Sequence, residues 1–249
     1  MPIPLSRKPS WKQRRMRMEK RYMSEMQSIQ TVSEMSEINF LQLGREPYEP
    51  IWEMQKELVL KRQQGLVPDT VIMVEHDPVY TLGKNADENH LLQSRRDDVP
   101  TFTVERGGDV TFHGPGQIVG YPILDLHDHQ LSINWYMRSL EEVLIRTLAE
   151  FCIESERREG LTGVWVEDRK IASLGVRVSR WVTMHGFALN VNTDLSYFDG
   201  IIPCGIFECG VTSMESILGE ELVLEVVQKK IEQMFVNVFD LKVSERAGF

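Results

Sequence analysis

The fold class is indicated most clearly by residues 163–191, GVWVEDRKIASLGVRVSRWVTMHGFALNV. It is rich in β-branched and aromatic residues, and two short polar interruptions divide it, at Glu167-Asp168-Arg169 and near Arg180. Residues of these types favour extended chain, and a short polar break between two such runs is typical of a hairpin turn. The stretch therefore predicts consecutive strands joined by hairpins.

Helical patterns occur both before and after these strands in the sequence. Residues 132–152 give the strongest one, which Ser132 can cap at its start. It carries an apolar stripe that also includes Cys152, and its other members are Trp135, Leu140, Val143, Leu144, Leu148 and Phe151. Residues 48–64 and 222–239 show the same spacing. Clustered strands interrupted by isolated helices predict an α+β, or mixed α/β, single domain with a largely antiparallel or mixed sheet flanked by helices.

Composition narrows the class of protein. The 249 residues are 42% hydrophobic and 26% charged, as in ordinary globular domains. No apolar run reaches the roughly 18 residues of a membrane span. Three cysteines do not make a disulfide framework, so we expect a reducing compartment. Cys204 and Cys209 have no second ligand pair at zinc-finger spacing, and we expect no metal.

The charge is distributed unevenly along the chain. Residues 1–22 carry eight Lys or Arg against the single acid Glu19, a net charge of +7. The whole chain has a net charge of −9, so the remaining residues carry −16. An acidic body argues against a nucleic-acid enzyme. We expect residues 1–37 to form a flexible basic extension and residues 38–249 to form the catalytic domain. An organelle-targeting peptide is the alternative, but Glu19 and Glu25 count against it, so we expect a cytoplasmic protein.

A glycine-rich loop at residues 106–117, RGGDVTFHGPGQ, contains few core-forming residues. Its four glycines indicate a backbone that bends sharply or approaches a ligand closely. Arg106 offers a fork of donors and His113 offers a titratable ring. A simple tight turn would need only one or two glycines, so we interpret the segment as a binding loop. Its glycine spacing matches neither common phosphate-binding pattern.

Two reactive side chains stand apart from the core pattern. Cys204 lies between Pro203 and Gly205 rather than among large apolar residues. A cysteine in such a setting is a candidate nucleophile if a nearby cation holds it as thiolate. Lys170 begins a strand just after a predicted hairpin turn, a place where a solvated lysine is the ordinary interpretation.

Taken together, these segments resemble the lipoyl(octanoyl) transferase family, which shares its fold with biotin and lipoate protein ligases. The resemblance covers about residues 38–239 and leaves the basic extension outside it. The matching motifs are EHDPVYTLG (75–83), RGGDVTFHGPGQIVGYPILDL (106–126), KIASLGVRV (170–178), HGFALNVNTDL (185–195), IIPCGI (201–206) and GVTSM (210–214).

The resemblance implies a role for each matching residue. Cys204 corresponds to the nucleophile that carries the acyl group as a thioester. Lys170 corresponds to the lysine that lowers the pKa of that thiol and shuttles protons. The positions that correspond to acyl-binding segments are Arg106, Gly107, Gly108, Asp109, Val110, Thr111, Phe112, His113, Ser173, Leu174, Gly175, Gly186, Phe187 and Ala188.

The family's reaction moves an octanoyl group from octanoyl-acyl carrier protein to a lysine of a lipoyl domain, the first step of endogenous protein lipoylation. The implied acceptors are lipoyl domains of 2-oxoacid dehydrogenase E2 subunits and the glycine cleavage H protein. No cofactor is needed, because the donor thioester already drives amide formation. We expect a monomer that binds neither nucleic acid nor membrane.

Three further expectations concern the surroundings of the site. A dry groove for the acyl chain is expected along strands that bear Leu174, Val176, Phe187 and Leu189. Because both partner proteins are expected to be acidic, a local basic rim is expected from some of Lys84, Arg95, Arg96, Arg177 and Arg180. Amides near Gly107–Gly108, Gly175 or Gly205 are candidates for stabilising an oxyanion.

Three alternatives stay open at this point. An ATP-dependent lipoate or biotin ligase would share the fold but would need no cysteine nucleophile. A catalytically silent binding protein would be expected to lack Cys204 or Lys170. An amidotransferase that moves octanoyl groups between lipoyl domains would use the same cysteine and differ only in its donor.

Overall fold

The computed structural model of this chain describes residues 37–202 and 210–243. The predicted boundary between a flexible extension and the catalytic domain stays a prediction, because residues 1–36 lie outside the described part. Within the described residues, no helix is both long and apolar enough to cross a membrane.

An eight-stranded mixed sheet forms the centre of the described chain, in the order β11-β1-β2-β6-β10-β9-β8-β7. Its strands are β1 (Glu37–Glu46), β2 (Asp69–His76), β6 (Gln117–Ile123), β7 (Glu156–Arg158), β8 (Leu161–Val166), β9 (Arg169–Ser179), β10 (Val182–Asn190) and β11 (Lys242–Val243). β1 pairs in parallel with both β2 and β11, whereas β2, β6, β10, β9, β8 and β7 pair antiparallel in succession. The predicted mixed, largely antiparallel sheet is confirmed.

The two predicted hairpins are both present. Glu167 and Asp168 join β8 to β9, and Arg180 and Trp181 join β9 to β10. Arg180 and Trp181 both have positive φ, of 50° and 63°. Consecutive left-handed residues match the right-handed twist of the flanking strands, as in the usual two-residue hairpin turn.

A second, three-stranded sheet lies beside the first in the order β4-β3-β5. It consists of β3 (Val79–Leu82), β4 (Thr101–Thr103) and β5 (Val110–His113). β3 pairs in parallel with β4 and antiparallel with β5. The glycine-rich segment at residues 106–117 contains β5 within it, so this small sheet sets the position of residues 106–109.

Helices cover both faces of the large sheet. They are α1 (Tyr48–Gln63), α2 (Ile133–Ala149), α3 (Met214–Leu218) and α4 (Leu224–Phe239). α2 and α4 pack into the larger core on one face, and Ile51, Leu58 and Val59 of α1 pack on the other. The predicted cap of α2 is confirmed, because the Ser132 hydroxyl accepts a hydrogen bond from Trp135 N.

The interpretation of Cys152 as a core residue on the stripe of α2 is wrong. α2 ends at Ala149, and Cys152 lies beyond it with φ of 57° and an exposed side chain. The chain leaves the helix through this left-handed residue, which turns Cys152 away from the core.

Candidate functional site

A pocket of about 50 Å³ opens over strands β6, β9 and β10. Its lining residues come from five separate segments, which are α1, the loop and strand at residues 106–113, and the three strands β6, β9 and β10. They are Tyr48, Arg106, Gly108, Asp109, Val110, Thr111, His113, Val119, Tyr121, Ser173, Leu174, Gly175, His185, Gly186, Phe187 and Ala188.

Small residues form much of the pocket floor. Ser173 pairs across the sheet with Ala188, and Gly175 pairs with Gly186. Neighbouring strands bring these four residues into one patch, and their small side chains leave the space above the backbone open. A methyl group on Gly175 would lie 2.9 Å from the carbonyl oxygen of Gly107. The floor therefore meets the loop so closely that only glycine fits there.

The loop is held in place by Arg106, whose side chain is buried. Its Nη2 donates to the carbonyl oxygen and the hydroxyl of Thr81, at 2.7 and 2.9 Å, and Nη1 donates to the carbonyl oxygen of Gly107 at 3.0 Å. Gly107 N donates to Val176 O at 2.9 Å. These bonds fasten the loop between β3 and β9. Arg106 therefore has two roles: it lines the pocket, and its hydrogen bonds to the backbone of Thr81 and Gly107 hold the pocket wall in position.

Buried rings form another wall of the pocket, in which His113 and Tyr121 are lining residues, while His76 contacts Tyr121 and is not itself in the lining. His113 Nδ1 lies 2.9 Å from Gln117 Oε1. His76 Nε2 lies 2.8 Å from the Tyr121 hydroxyl, and His76 Nδ1 lies 2.9 Å from Glu46 O. Burial lowers the pKa of His113 to about 3 and that of His76 to about 4. Both rings are therefore uncharged at neutral pH, and their polar atoms are bonded within the protein.

The second lining histidine, His185, has a buried side chain. Its φ is 59°, and its backbone N donates to Gln55 Oε1 of α1 at 3.0 Å. Burial lowers its pKa to about 4. The two lining histidines, His113 and His185, therefore add no charge to the pocket, and the acidic and basic side chains that line it are Asp109 and Arg106.

The structure brings together twelve of the predicted acyl-binding residues and separates two from the lining. Gly107 and Phe112 are not among the lining residues; the Phe112 ring instead stacks on Tyr197 at a centroid distance of 4.4 Å. Of the residues expected to form a groove, Leu174 and Phe187 line the pocket. All four expected groove residues, Leu174, Val176, Phe187 and Leu189, belong to the large core or pack against it. Residues two apart in a strand share a face, so these side chains lie on the face of the sheet opposite Ser173, Gly175, Gly186 and Ala188, and Leu174 and Phe187 only border the pocket.

Lys170 lies on β9 three residues before Ser173, and only 5% of its surface is exposed. Its Nζ lies 4.8 Å from the centroid of the Trp165 ring. Gly163 leaves room for the side chain, since a methyl group there would lie 3.1 Å from Lys170 Cε. The chain thus places a lysine inside the protein at the end of the strand that forms the pocket floor.

Cys204 lies outside the described residues, but the residues on both sides of its segment are fixed. On one side, Ile202 N donates to His90 O at 2.8 Å. On the other side, Lys170 N donates to Gly210 O at 2.9 Å, and Thr212 N donates to Lys170 O at 3.0 Å. The segment that carries Cys204 therefore ends beside the backbone of Lys170.

The sequence did not reveal several lining residues. Tyr48, Val119 and Tyr121 line the pocket, although the sequence pattern predicts only that they belong to a helix or a strand. His185 begins the motif HGFALNVNTDL (185–195), but the residue types around it do not indicate that its φ is positive. Apolar periodicity marks the buried face of an element but does not distinguish a pocket wall from a packed core.

The predicted basic rim stays a prediction. Arg177 donates to Glu105 Oε1 at 2.8 Å, and Arg96 lies over the Tyr197 ring and near Asp194. Arg95 donates to Leu92 O, while Lys84 and Arg180 are exposed. Acidic neighbours thus offset part of the expected positive charge.

Comparison with known proteins gives one consistent result. The family model described as lipoyl protein ligase A/B catalytic domain matches residues 47–236. An octanoyltransferase of Solibacter usitatus is 48% identical over 206 residues, covering 81% of this chain and 93% of that protein. An octanoyltransferase of Rubrobacter xylanophilus is 49% identical, covering 78% of this chain and 90% of that protein.

Solved structures share the fold at low sequence identity. A putative lipoate protein ligase from T. acidophilum superposes with a TM-score of 0.68 at 13% identity, covering 86% of this chain and 89% of that one. A lipoate-protein ligase A bound with ATP gives a TM-score of 0.67 at 13% identity, with 86% and 90% covered. At this level of identity the likeness establishes the architecture alone.

Proposed function

Because this chain belongs to the lipoyl protein ligase A/B catalytic domain family, we propose that it is an acyltransferase that moves an octanoyl group from octanoyl-acyl carrier protein to a lysine of a lipoyl domain. The observation that carries this proposal is a pocket lined by small, apolar and uncharged polar residues apart from Arg106 and Asp109, on the strand that also carries the buried Lys170. Relatives named octanoyltransferase, at 48–49% identity across most of the chain, support the same reaction.

The pocket suits a medium-length acyl chain. Its lining combines glycine, serine and alanine with Leu174 and Phe187, and its two histidines, His113 and His185, are uncharged at neutral pH because burial lowers the pKa of each. Burying the seven methylene and methyl groups of an octanoyl chain at about 0.8 kcal/mol each contributes about 5 kcal/mol.

Cys204 is the proposed nucleophile. Its thiolate attacks the carbonyl carbon of the donor thioester, the carrier thiol leaves, and the octanoyl group remains on Cys204. The amine of the acceptor lysine then attacks this second thioester and forms an amide. Dividing the transfer into two steps is covalent catalysis, and it predicts ping-pong kinetics.

Lys170 is proposed to hold Cys204 as thiolate and to return a proton to the departing carrier thiol. An ammonium group beside a sulfur favours the thiolate and so lowers the pKa of the thiol. The support is the burial of Lys170, together with its backbone bonds to Gly210 and Thr212, which follow the cysteine segment. Thioester exchange followed by amide formation needs no ATP.

The partners proposed are octanoyl-acyl carrier protein as donor, and lipoyl domains of E2 subunits and the glycine cleavage H protein as acceptors. The enzyme is proposed to act as a cytoplasmic monomer. The catalytic unit is proposed to extend over residues 38–249.

The direct test is intact-mass analysis after mixing the full chain with octanoyl carrier protein. The native protein should gain the mass of one octanoyl group, and Cys204→Ala should gain none. Lys170→Ala should be acylated much more slowly. A mass gain that persists in Cys204→Ala would contradict the proposal.

Two further reactions separate the alternatives. Free octanoate with ATP should give no octanoylated lipoyl domain, whereas a ligase would form it. An octanoylated lipoyl domain offered in place of the carrier protein should not acylate Cys204, whereas an amidotransferase would accept it.

A further inference from the structure

Two cavities lie in line on the face of the large sheet that α1 covers. Four cross-strand pairs follow one another along β9 and β10, which are Ser173 with Ala188, Gly175 with Gly186, Arg177 with Met184, and Ser179 with Val182. Residues two apart in a strand share a face, so all four pairs lie on one side of the sheet. The first two pairs line the pocket described above. The last two line a far cavity of about 190 Å³, together with Lys56, Val59, Leu60 and Gln63 of α1.

His185 lies between the two cavities on β10. Gly186 on one side of it belongs to a pair that lines the pocket, and Met184 on the other side belongs to a pair that lines the far cavity. The His185 ring itself lines the pocket, and the residue is 2% exposed. Lys170 lies near the other end of this arrangement, three residues before Ser173 on β9. The pocket floor therefore runs from the Lys170 end of β9 to His185.

The backbone of His185 places its ring on the pocket side of the sheet. Successive side chains of a strand point to opposite faces, so regular alternation would turn His185 toward the large core with Phe187. Instead its φ is 59°, its backbone N donates to Gln55 Oε1 of α1 at 3.0 Å, and its ring centroid lies 6.4 Å from that of Tyr121. A left-handed conformation is unfavourable for residues other than glycine, and such conformations concentrate at functional sites. The chain thus adopts an unfavourable conformation that brings an imidazole ring between the two cavities.

Hydrogen bonding of Nε2 does not account for the position of the ring. Within the part of the chain that the structure describes, His185 Nε2 is buried without a hydrogen-bond partner, and Glu105 Oε2 lies 3.9 Å from it. Glu105 accepts hydrogen bonds from Trp52 Nε1 at 3.1 Å and from Arg177 Nη1 at 2.8 Å. Removal of the ring would leave both of these bonds in place. The ring therefore acts on the pocket through its volume.

We propose that the His185 ring is the wall between the pocket and the far cavity, and that it limits the length of the acyl chain that the enzyme transfers. This inference rests on the proposed function, in which the thioester lies at the Lys170 end of the pocket. An octanoyl chain then meets the ring with its methyl end, and a longer chain would need the space that the ring fills. Beyond the ring, the far cavity offers a buried apolar lining from Val59, Val182 and Met184.

The test compares the chain lengths that the native enzyme and its variants accept. His185→Gly removes the ring and suits the local backbone, because glycine adopts positive φ without strain. Rates of acyl-enzyme formation are measured by intact mass in the full-length protein, with octanoyl, decanoyl and dodecanoyl carrier protein as donors. The ratio of the dodecanoyl rate to the octanoyl rate should rise by at least about tenfold in His185→Gly, since further methylene groups can then be buried.

Further variants locate the added space. His185→Asn keeps a residue type that tolerates positive φ and has a smaller side chain, so it should show a smaller gain of the same sign. Leu60 lines the far cavity and is 58% exposed, so Leu60→Trp can narrow that cavity without entering the core. Combined with His185→Gly, it should cancel most of the gain for dodecanoyl. Leu60→Trp alone is the matched control, and it should leave the native ratio unchanged because the native chain ends at His185.

The outcomes distinguish this inference from the proposed function. If the native enzyme forms no octanoyl enzyme, the proposed function itself fails. If the native enzyme is acylated and both His185 variants keep the native ratio, the role of His185 is refuted while the function stands. Equal slowing with all three donors would show that His185 only supports the fold, and it would also overturn the inference. A gain that persists undiminished in the double variant would show that His185 does not separate these two cavities.

Discussion

Replacing Gly175 with alanine should disturb the pocket at its tightest point. The added methyl group would lie 2.9 Å from Gly107 O and 3.1 Å from Arg106 Cδ. Gly175 lies on the floor, whereas Gly107 and Arg106 belong to the loop above it. The methyl group must therefore push the loop away from the floor or strain the strand beneath it.

The expected cost follows from the size of this overlap. Inserting a methyl group into a well-packed site costs about 1–3 kcal/mol. Replacing glycine by alanine returns up to about 1 kcal/mol, because the unfolded chain loses freedom. A net loss of about 1–2 kcal/mol in the free energy of unfolding corresponds to a fall in Tm of about 2–8 °C for a chain of this size.

The assay combines thermal unfolding with kinetics for the octanoyl carrier donor. Gly175→Ala should lower Tm and raise the donor KM, because the displaced loop lines the pocket. Gly107→Ala is the matched control, since a methyl group there would meet only Val176 O at 3.5 Å, an ordinary contact. A Gly175→Ala protein with native Tm and donor KM, or equal losses in both variants, would refute the reasoning.

Three further variants test other contacts. Ser132→Ala removes the cap that bonds Trp135 N and should cost about 1 kcal/mol of stability without changing activity, as measured by thermal unfolding and donor turnover. Tyr121→Phe leaves His76 Nε2 without its buried partner and should cost about 1–3 kcal/mol in urea unfolding; an unchanged midpoint would argue against that bond. Burial lowers the pKa of His113 to about 3. Its neutral form therefore contributes full stability above the unfolded pKa of about 6.5 and loses it as pH falls toward 3. His113→Gln should flatten the fall of unfolding free energy with acid by up to about 1.4 kcal/mol per pH unit, whereas an unchanged slope would show that His113 titrates alike in both states.

The elements that local sequence determines were predicted correctly. Ser132 and the apolar stripe after it define α2, and the short polar breaks at Glu167-Asp168 and Arg180 define both hairpins. Pairing between distant segments could not be predicted in the same way. The parallel pairing of β1 with β2 and β11 depends on how distant segments assemble into the sheet, and no local residue pattern predicts it.

The motifs singled out segments that surround the pocket, while the roles assigned to their residues stay predictions. The loop, the small residues of β9 and β10, and Lys170 on the same strand were all singled out from the sequence, and the structure places most of them around one pocket. Tyr48 and Tyr121 were missed, because their side chains satisfy the same periodicity as core residues. Cys152 was misplaced because an apolar stripe does not show where a helix ends. The left-handed turn after Ala149 depends on backbone conformation that cysteine does not specify.

The pairing of β1 with β11 has a consequence for how the chain can be rearranged. Glu37 lies opposite Lys242 and Ile38 lies opposite Val243, so the two ends of the described chain meet at one edge of the sheet. Connectivity in this fold is thus nearly circular. A permuted protein that joins residues 37 and 243 by a short linker, and opens instead at the uncrowded Gly160 turn between β7 and β8, would retain every strand pairing around the pocket.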